Sequence, residues 1–216
     1  MPLPAKSTIN RYIQGSKTGC GFDASFFELF ETKLKTLNER DRHGIISFDE
    51  MSVRTSIEVD LKTMTFSGLQ DFGNNSEHNG VHTDEQADHA LVFMFSSLSL
   101  NFHQPIGYFG AKGPTKSVVL VALLTQAIIS VEKAGGKVEG IVSDGAQPNR
   151  KTWTEFGISG DIDNVQHYFQ NPYDENRRVY AFSDAPHLIK CIRNRLASKK
   201  FLKVIYLLIF IINFMS

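Results

Sequence analysis

Two cysteines in 216 residues, Cys20 and Cys191, are too few for a disulfide scaffold or a thiolate zinc site, and they suit a reducing compartment. An excess of charge of one sign is lacking as well. The 23 Lys and Arg balance 23 Asp and Glu, so no overall footprint announces nucleic acid, though a neutral total leaves room for a basic face. The N-terminal MPLPAKSTINRYIQG has no apolar core that could act as a signal peptide. The uninterrupted apolar run Val204–Ile212 is about half the ~20 residues needed to span a bilayer, so no membrane partner is expected. No internal repeat is present. What remains is ordinary globular composition, 42% hydrophobic and 21% charged, at a length suited to one domain or one domain plus part of another.

Within that composition, HGIISFDEMSV (43–53) stands out. Ile45, Ile46, Phe48, Met51 and Val53 read as a mostly buried strand, yet Asp49 and Glu50 sit in its middle. A buried carboxylate is costly unless it is paired, hydrogen-bonded or metal-bound. Strand alternation sends Asp49 and Glu50 to opposite faces, so the two cannot easily serve one site.

Around this strand the pattern predicts an α/β fold. Phe26, Phe27, Phe30, Leu34 and Leu37 recur at helical spacing behind Asp23 as N-cap. Ile57, Val59 and Leu61, then Met64 and Phe66, alternate about a turn at Lys62–Thr63, which predicts a β-hairpin. Segment 71–88 reads as a polar loop, 89–100 as a central strand and 104–110 as another. A long helix is expected from Thr115, with Val118, Val121, Leu124, Ile128 and Val131 as its apolar stripe and Gly135-Gly136 ending it. A strand (137–146), a short helix (148–156), a strand (177–185) and a helix with a basic end (186–197) complete the order. Three strands followed by alternating helix and strand argue for a mixed sheet covered by helices.

The chemistry-bearing residues fall at strand ends. A right-handed crossover returns the chain from the long helix to the same sheet, so the strand ending in Asp144 can lie beside the one carrying Asp49. Two carboxylates at one sheet edge repel each other unless a cation lies between them, and hard divalent ions resolve that repulsion. Such two-metal sites serve phosphodiester chemistry. A plainer reading stands beside this one: Asp144-Gly145 is also a common turn signal, and Asp49 or Glu50 could be a surface acid. His78, His82 and His89 fall at irregular spacing in or beside the polar loop, a poor pattern for metal ligands. GYFGAKG (107–113) lacks the Lys-Ser/Thr of a phosphate-binding loop. Trp153 reads as core. Lys190, Arg193 and Arg195 read as a solvated helix end that complements the dipole, with phosphate contact as the alternative.

Taken in order, LPAKSTINRYIQG, CGFDASFFELF, RHGIISFDEMSVR, ALVFMFSSL, PIGYFGAKG, GIVSDGAQPNRKTW and VYAFSDAPHLIKCIRN resemble segments of P-element-type transposases, which include the THAP-domain transposase relatives. The resemblance covers about residues 3–197. It implies an RNase H-like mixed β-sheet flanked by helices, with an inserted β-hairpin and a small N-terminal helical segment. It also implies DNA cleavage and strand transfer with Mg2+, with Asp49 as first catalytic acid and metal ligand and Asp144 as second. Asp184, His187 and Lys190 match a recurrent motif of the family whose role the sequence does not reveal. The family's third acid, a glutamate, lies after a helical insertion that binds GTP; whether Glu155 or Asp184 replaces it is left open. No zinc-coordinating THAP domain is present in the sequence.

The resulting expectations are a helical lead-in (1–42), an RNase H-like core (43–185), the start of a GTP-binding-type insertion (186–203) and an apolar tail of non-family sequence (204–216). The chain is expected to be a transposase fragment acting on transposon-end DNA in the nucleus, inactive alone, as a homo-oligomer or beside a full-length transposase. The alternatives are a non-catalytic, domesticated or dominant-negative DNA- or protein-binding protein, and an unrelated α/β small-molecule enzyme.

Overall fold

The computed structural model describes residues 20–60, 65–73, 84–161 and 163–198. The expected lead-in before residue 20, His78 and His82, and the apolar tail lie outside them. Helix α1 (Ala24–Lys35) begins as its sequence dictates: the Asp23 carboxylate accepts hydrogen bonds from the backbone N–H groups of Ser25 and Phe26. A 3-10 turn (Glu39–Arg42) leads into β1 (His43–Ser52). The hairpin of β2 (Glu58–Asp60) and β3 (Thr65–Ser67) forms a separate two-stranded sheet. Then come β4 (His89–Ser97), β5 (His103–Ala111), helix α2 (Ser117–Lys133), β6 (Lys137–Ser143) and helix α3 (Gln147–Glu155). A small hairpin, β7 (Ser159–Asp161) with β8 (Asn164–Gln166), precedes β9 (Tyr168–Gln170), β10 (Arg178–Ser183) and helix α4 (Ala185–Ser198).

Six strands form one mixed sheet in the order β5-β4-β1-β6-β10-β9. Strands β1, β6 and β10 run parallel, and β4, β5 and β9 pair antiparallel with their neighbours. Alternation sorts the side chains. Ile46, Phe48, Leu91, Phe93, Phe95 and Ile141 point to one face, where α1 and α2 bury them together with Phe30, Leu34, Leu123, Leu124 and Ile128. Aromatic rings lock α1 onto this face, with Phe30 edge-on to Phe95 at 5.7 Å between centroids. Gly44 is there because a Cβ at that position would collide with the Phe95 ring.

The helix α2 stripe differs from the expected one. Leu124, Ile128 and Val131 are buried, but Val118 is 60% exposed, and the buried row continues through Leu123, Leu120 and Val119. The helix is apolar nearly all round, so sequence alone gives little to choose between adjacent stripes. Segment 157–176, which carries no periodic signal, supplies the β7–β8 hairpin and the edge strand β9. Trp153 packs against the core as expected.

The start of the parallel strands is closed by a buried polar cluster. Glu132, in the last turn of α2, is only 5% exposed. Both its oxygens accept from Arg177 Nη1 at 2.8 Å, and Oε1 also accepts from Asn171 Nδ2 and the Val138 N–H. Arg177 Nη2 donates to Glu139 Oε1 at 2.9 Å, and His43 Nδ1 lies 2.8 Å from that same oxygen. Burial alone would pull the Arg177 pKa down, but the bonds and charges of Glu132 and Glu139 outweigh it and hold the guanidinium above its ordinary value.

Candidate functional site

The opposite end of those strands is where the acids gather. Asp49 lies on β1, paired with Val92 of β4. On its other side β1 pairs with β6 through Ser47 and Val142. Asp49 lies two residues past Ser47 and Asp144 two past Val142, one beyond the end of β6, and both line one cleft at this end of the sheet. Asp49 shares the parity of Ser47 and so lies on the sheet face opposite Phe48, while Asp144 lies outside the ladder. β10 pairs with β6 through Ser183 and Ser143, and the Asp184 N–H donates to the Ser143 carbonyl at 3.0 Å. Asp49 thus lies three residues before the end of β1, and Asp144 and Asp184 each lie one residue beyond the ends of β6 and β10.

Their surroundings differ. The Asp49 carboxylate is exposed and accepts a hydrogen bond at Oδ1 from the Glu50 N–H at 2.8 Å. Asp144, just beyond β6, accepts at Oδ1 from the Ala146 N–H (2.9 Å) and from Asn149 Nδ2 (2.6 Å). The turn reading of Asp144-Gly145 is therefore also true, because its carboxylate closes an Asx turn into α3. Each acid keeps Oδ2 without a hydrogen bond from the described residues, and no described ion pair involves either. Hard oxygen donors of this kind suit Mg2+ or Mn2+. Among the described residues no three His, Cys, Asp or Glu converge into a complete metal cluster, so neither Asp184 nor Glu155 joins the pair in that way.

Glu50 goes to the other face. Its carboxylate accepts from the Thr115 N–H (3.1 Å) and Thr115 Oγ1 (2.7 Å), tying the end of β1 to the chain entering α2. It is tied to another element, where Asp49 accepts only the neighbouring Glu50 N–H among the described residues.

A cleft of about 230 Å³ at this end is lined by Asp49, Glu50, Ser52, His89, Asp144 and Asn149, with Pro114, Leu120 and Pro148 among its apolar walls. A larger and more open groove of about 510 Å³, lined by Glu39, Arg40, His43, Leu98 and Ser99, lies at the far end of β1, away from the acids. His89 is not a loop residue: it opens β4. Its Nδ1 lies 2.7 Å from Asp88 Oδ1 and its Nε2 3.3 Å from Ser52 Oγ. Asp88 also accepts from Lys112 Nζ (2.9 Å) and the Gly113 N–H (2.6 Å). His89, Lys112 and Gly113 together hold the Asp88 carboxyl well below the usual carboxylate range. His187 and Lys190, on α4, do not line the cleft, nor does Asp184. His89 carries no motif, and Asn149 falls in the segment GIVSDGAQPNRKTW without being singled out there.

The family described as TNP-like, RNase H N-terminal domain, matches residues 18–157. The P transposase of Drosophila melanogaster is 26% identical over 194 residues, covering 89% of this chain and 22% of that protein. The human DNA transposase THAP9 is 21% identical over 196 residues, covering 90% of this chain and 21% of its own length. Among solved structures, the Drosophila P element transposase strand transfer complex superposes with a TM-score of 0.66 at 25% identity, over 89% of this chain and 37% of that one. The chain thus spans about a fifth of the length of the curated relatives it matches.

Proposed function

Because the chain belongs to the TNP-like, RNase H N-terminal domain family, we propose that its sheet is the core of a DNA strand transferase of the P element kind. In this reading Asp49 and Asp144 are its metal-ligating acids and transposon-end DNA is its substrate. One observation carries the reading: two aspartates, one on β1 and one just past the neighbouring parallel strand β6, line one cleft, and no ion pair among the described residues neutralises either. Open α/β sheets put their ligands at this end of their strands.

The chain's own part is positional. The β1–β6 pairing sets the spacing of the two carboxylates, the Glu50–Thr115 bonds fix the end of β1, and the α3 turn fixes Asp144. When bound, a divalent cation would act as a Lewis acid toward a phosphoryl oxygen and would activate water or a 3′-hydroxyl. Two carboxylates, with water and substrate phosphate oxygens completing the shell, are a ligand set that Mg2+ commonly takes; a third acid remains part of the family expectation. GTP belongs to the family's helical insertion, of which residues 186–203 would be only the start, and no residue of this chain is assigned to it. The place of action is the nucleus, where such DNA lies.

Thermal melts of the full chain with increasing Mn2+, with and without nicked terminal-repeat DNA, test this. The wild type is expected to gain stability with Mn2+, and Asp49→Asn and Asp144→Asn to gain none. Equal gains in all three would overturn the assignment. DNA binding unaffected by a chelator and by both substitutions would favour the non-catalytic binding protein instead.

A further inference from the structure

The two aspartates are aimed by different means. Asp49 lies inside a hydrogen-bonded ladder, where the strand itself sets the direction of the side chain. Asp144 is one residue past the end of β6, outside the ladder, so its direction is set by the first turn of α3. The N-cap of that helix, Ala146, has no side chain able to cap it, and the Asp144 carboxylate accepts the Ala146 N–H instead. Asn149, half-buried in the same turn, adds a second and shorter bond to the same oxygen, 2.6 Å from Nδ2 to Oδ1. With Oδ1 held twice, Oδ2 is the oxygen left without a hydrogen bond from the described residues, on a side chain that lines the cleft together with Asn149.

We propose that Asn149 is the positioning residue of the site: its amide donor orients Asp144 for divalent-cation binding without itself touching the ion. The inference rests on the metal-ligand reading of Asp144. A donor holding a ligating carboxylate is the kind of outer partner whose loss weakens metal affinity about 10–100-fold.

The experiment titrates the full chain with Mn2+ alone, reading free Mn2+ by electron paramagnetic resonance, beside melts of the metal-free proteins. Asn149→Leu removes the donor at nearly constant volume. Asn149→His keeps an N–H at the δ position. Asp144→Asn is the control for the underlying reading. The expected result is binding by wild type, none by Asp144→Asn, affinity lowered about 10–100-fold in Asn149→Leu with an unchanged metal-free melt, and recovery in Asn149→His. If Asn149→Leu does not fold, Asn149→Ala takes its place. Wild-type affinity in the donor-free variant, while Asp144→Asn does not bind, overturns the positioning role and leaves the metal reading intact. An Asn149→His as weak as Asn149→Leu also overturns it. Binding by Asp144→Asn equal to wild type overturns both.

Discussion

At the start of strands β1, β6 and β10, two glutamates share an arginine; at their ends, two aspartates share nothing. Glu132, at the end of α2, and Glu139, on β6, are joined through Arg177, whereas Asp49 and Asp144 line one cleft with no such bridge among the described residues. The first pair encloses Arg177 and is satisfied by Asn171 and the Val138 N–H. The second turns outward, with one oxygen of each acid held and the other uncommitted. A buried carboxylate with full partners holds a fold in one arrangement; unneutralised carboxylates at a cleft hold a place for something else. One end of the sheet is held by its own side chains; the other is the end we propose holds a ligand.

The sharpest way to break this contrast is to disarm each end in turn. Glu132→Ala leaves Arg177 largely buried beside a lost partner and is expected to cost about 3–5 kcal/mol of unfolding free energy, read by urea denaturation. A loss below about 1 kcal/mol would show that the closed end is not what holds α2 to the strands. The double substitution Asp49→Asn with Asp144→Asn is expected to behave oppositely. It relieves repulsion and breaks no ion pair, so metal-free stability should stay within about 1 kcal/mol of wild type or rise. Mn2+ should then reverse the order, because about ten times the dissociation constant stabilises the binding-competent chain by about 1.4 kcal/mol and the variant not at all.

The smallest effect concerns the wall of the cleft. The folded Asp88 carboxyl titrates below its ordinary value of 3.8. Its contribution is therefore fully present above that value and is lost as pH falls through the folded pKa. The difference in melting temperature between wild type and Asp88→Asn is expected to stay constant above about pH 5 and to shrink steadily below about pH 4. A difference that grows in acid would mean that the pairing with His89, Lys112 and Gly113 does not act as described.

The two ends were not equally legible in the sequence. Asp49 and Asp144 announce themselves because a carboxylate within an apolar strand and another at the end of one violate the local pattern. Glu132 violates nothing. On an apolar helix it reads as one more solvent-facing acid, and Arg177 lies 45 residues away in a stretch without periodicity. The same stretch hides β9, whose three residues are too few for alternation to register. His89 and Asn149 escape for another reason: their places come from cross-strand register and a helix turn, which no linear spacing rule encodes. The strands that build the sheet were readable, apart from the short edge β9, because burial on one or both faces writes a period into them.

The rims of the sheet have a consequence for association. On the β5 side, isolated bridges from Gly21 to Tyr108 and from Asp71 to Gly110 occupy part of the outer hydrogen-bonding edge. On the β9 side the outermost strand is three residues long. Neither rim offers a long row of free N–H and C=O groups as a template, so edge-to-edge strand addition, the usual route to sheet aggregation, is blunted on both sides. Any association is thereby steered toward faces and strand ends.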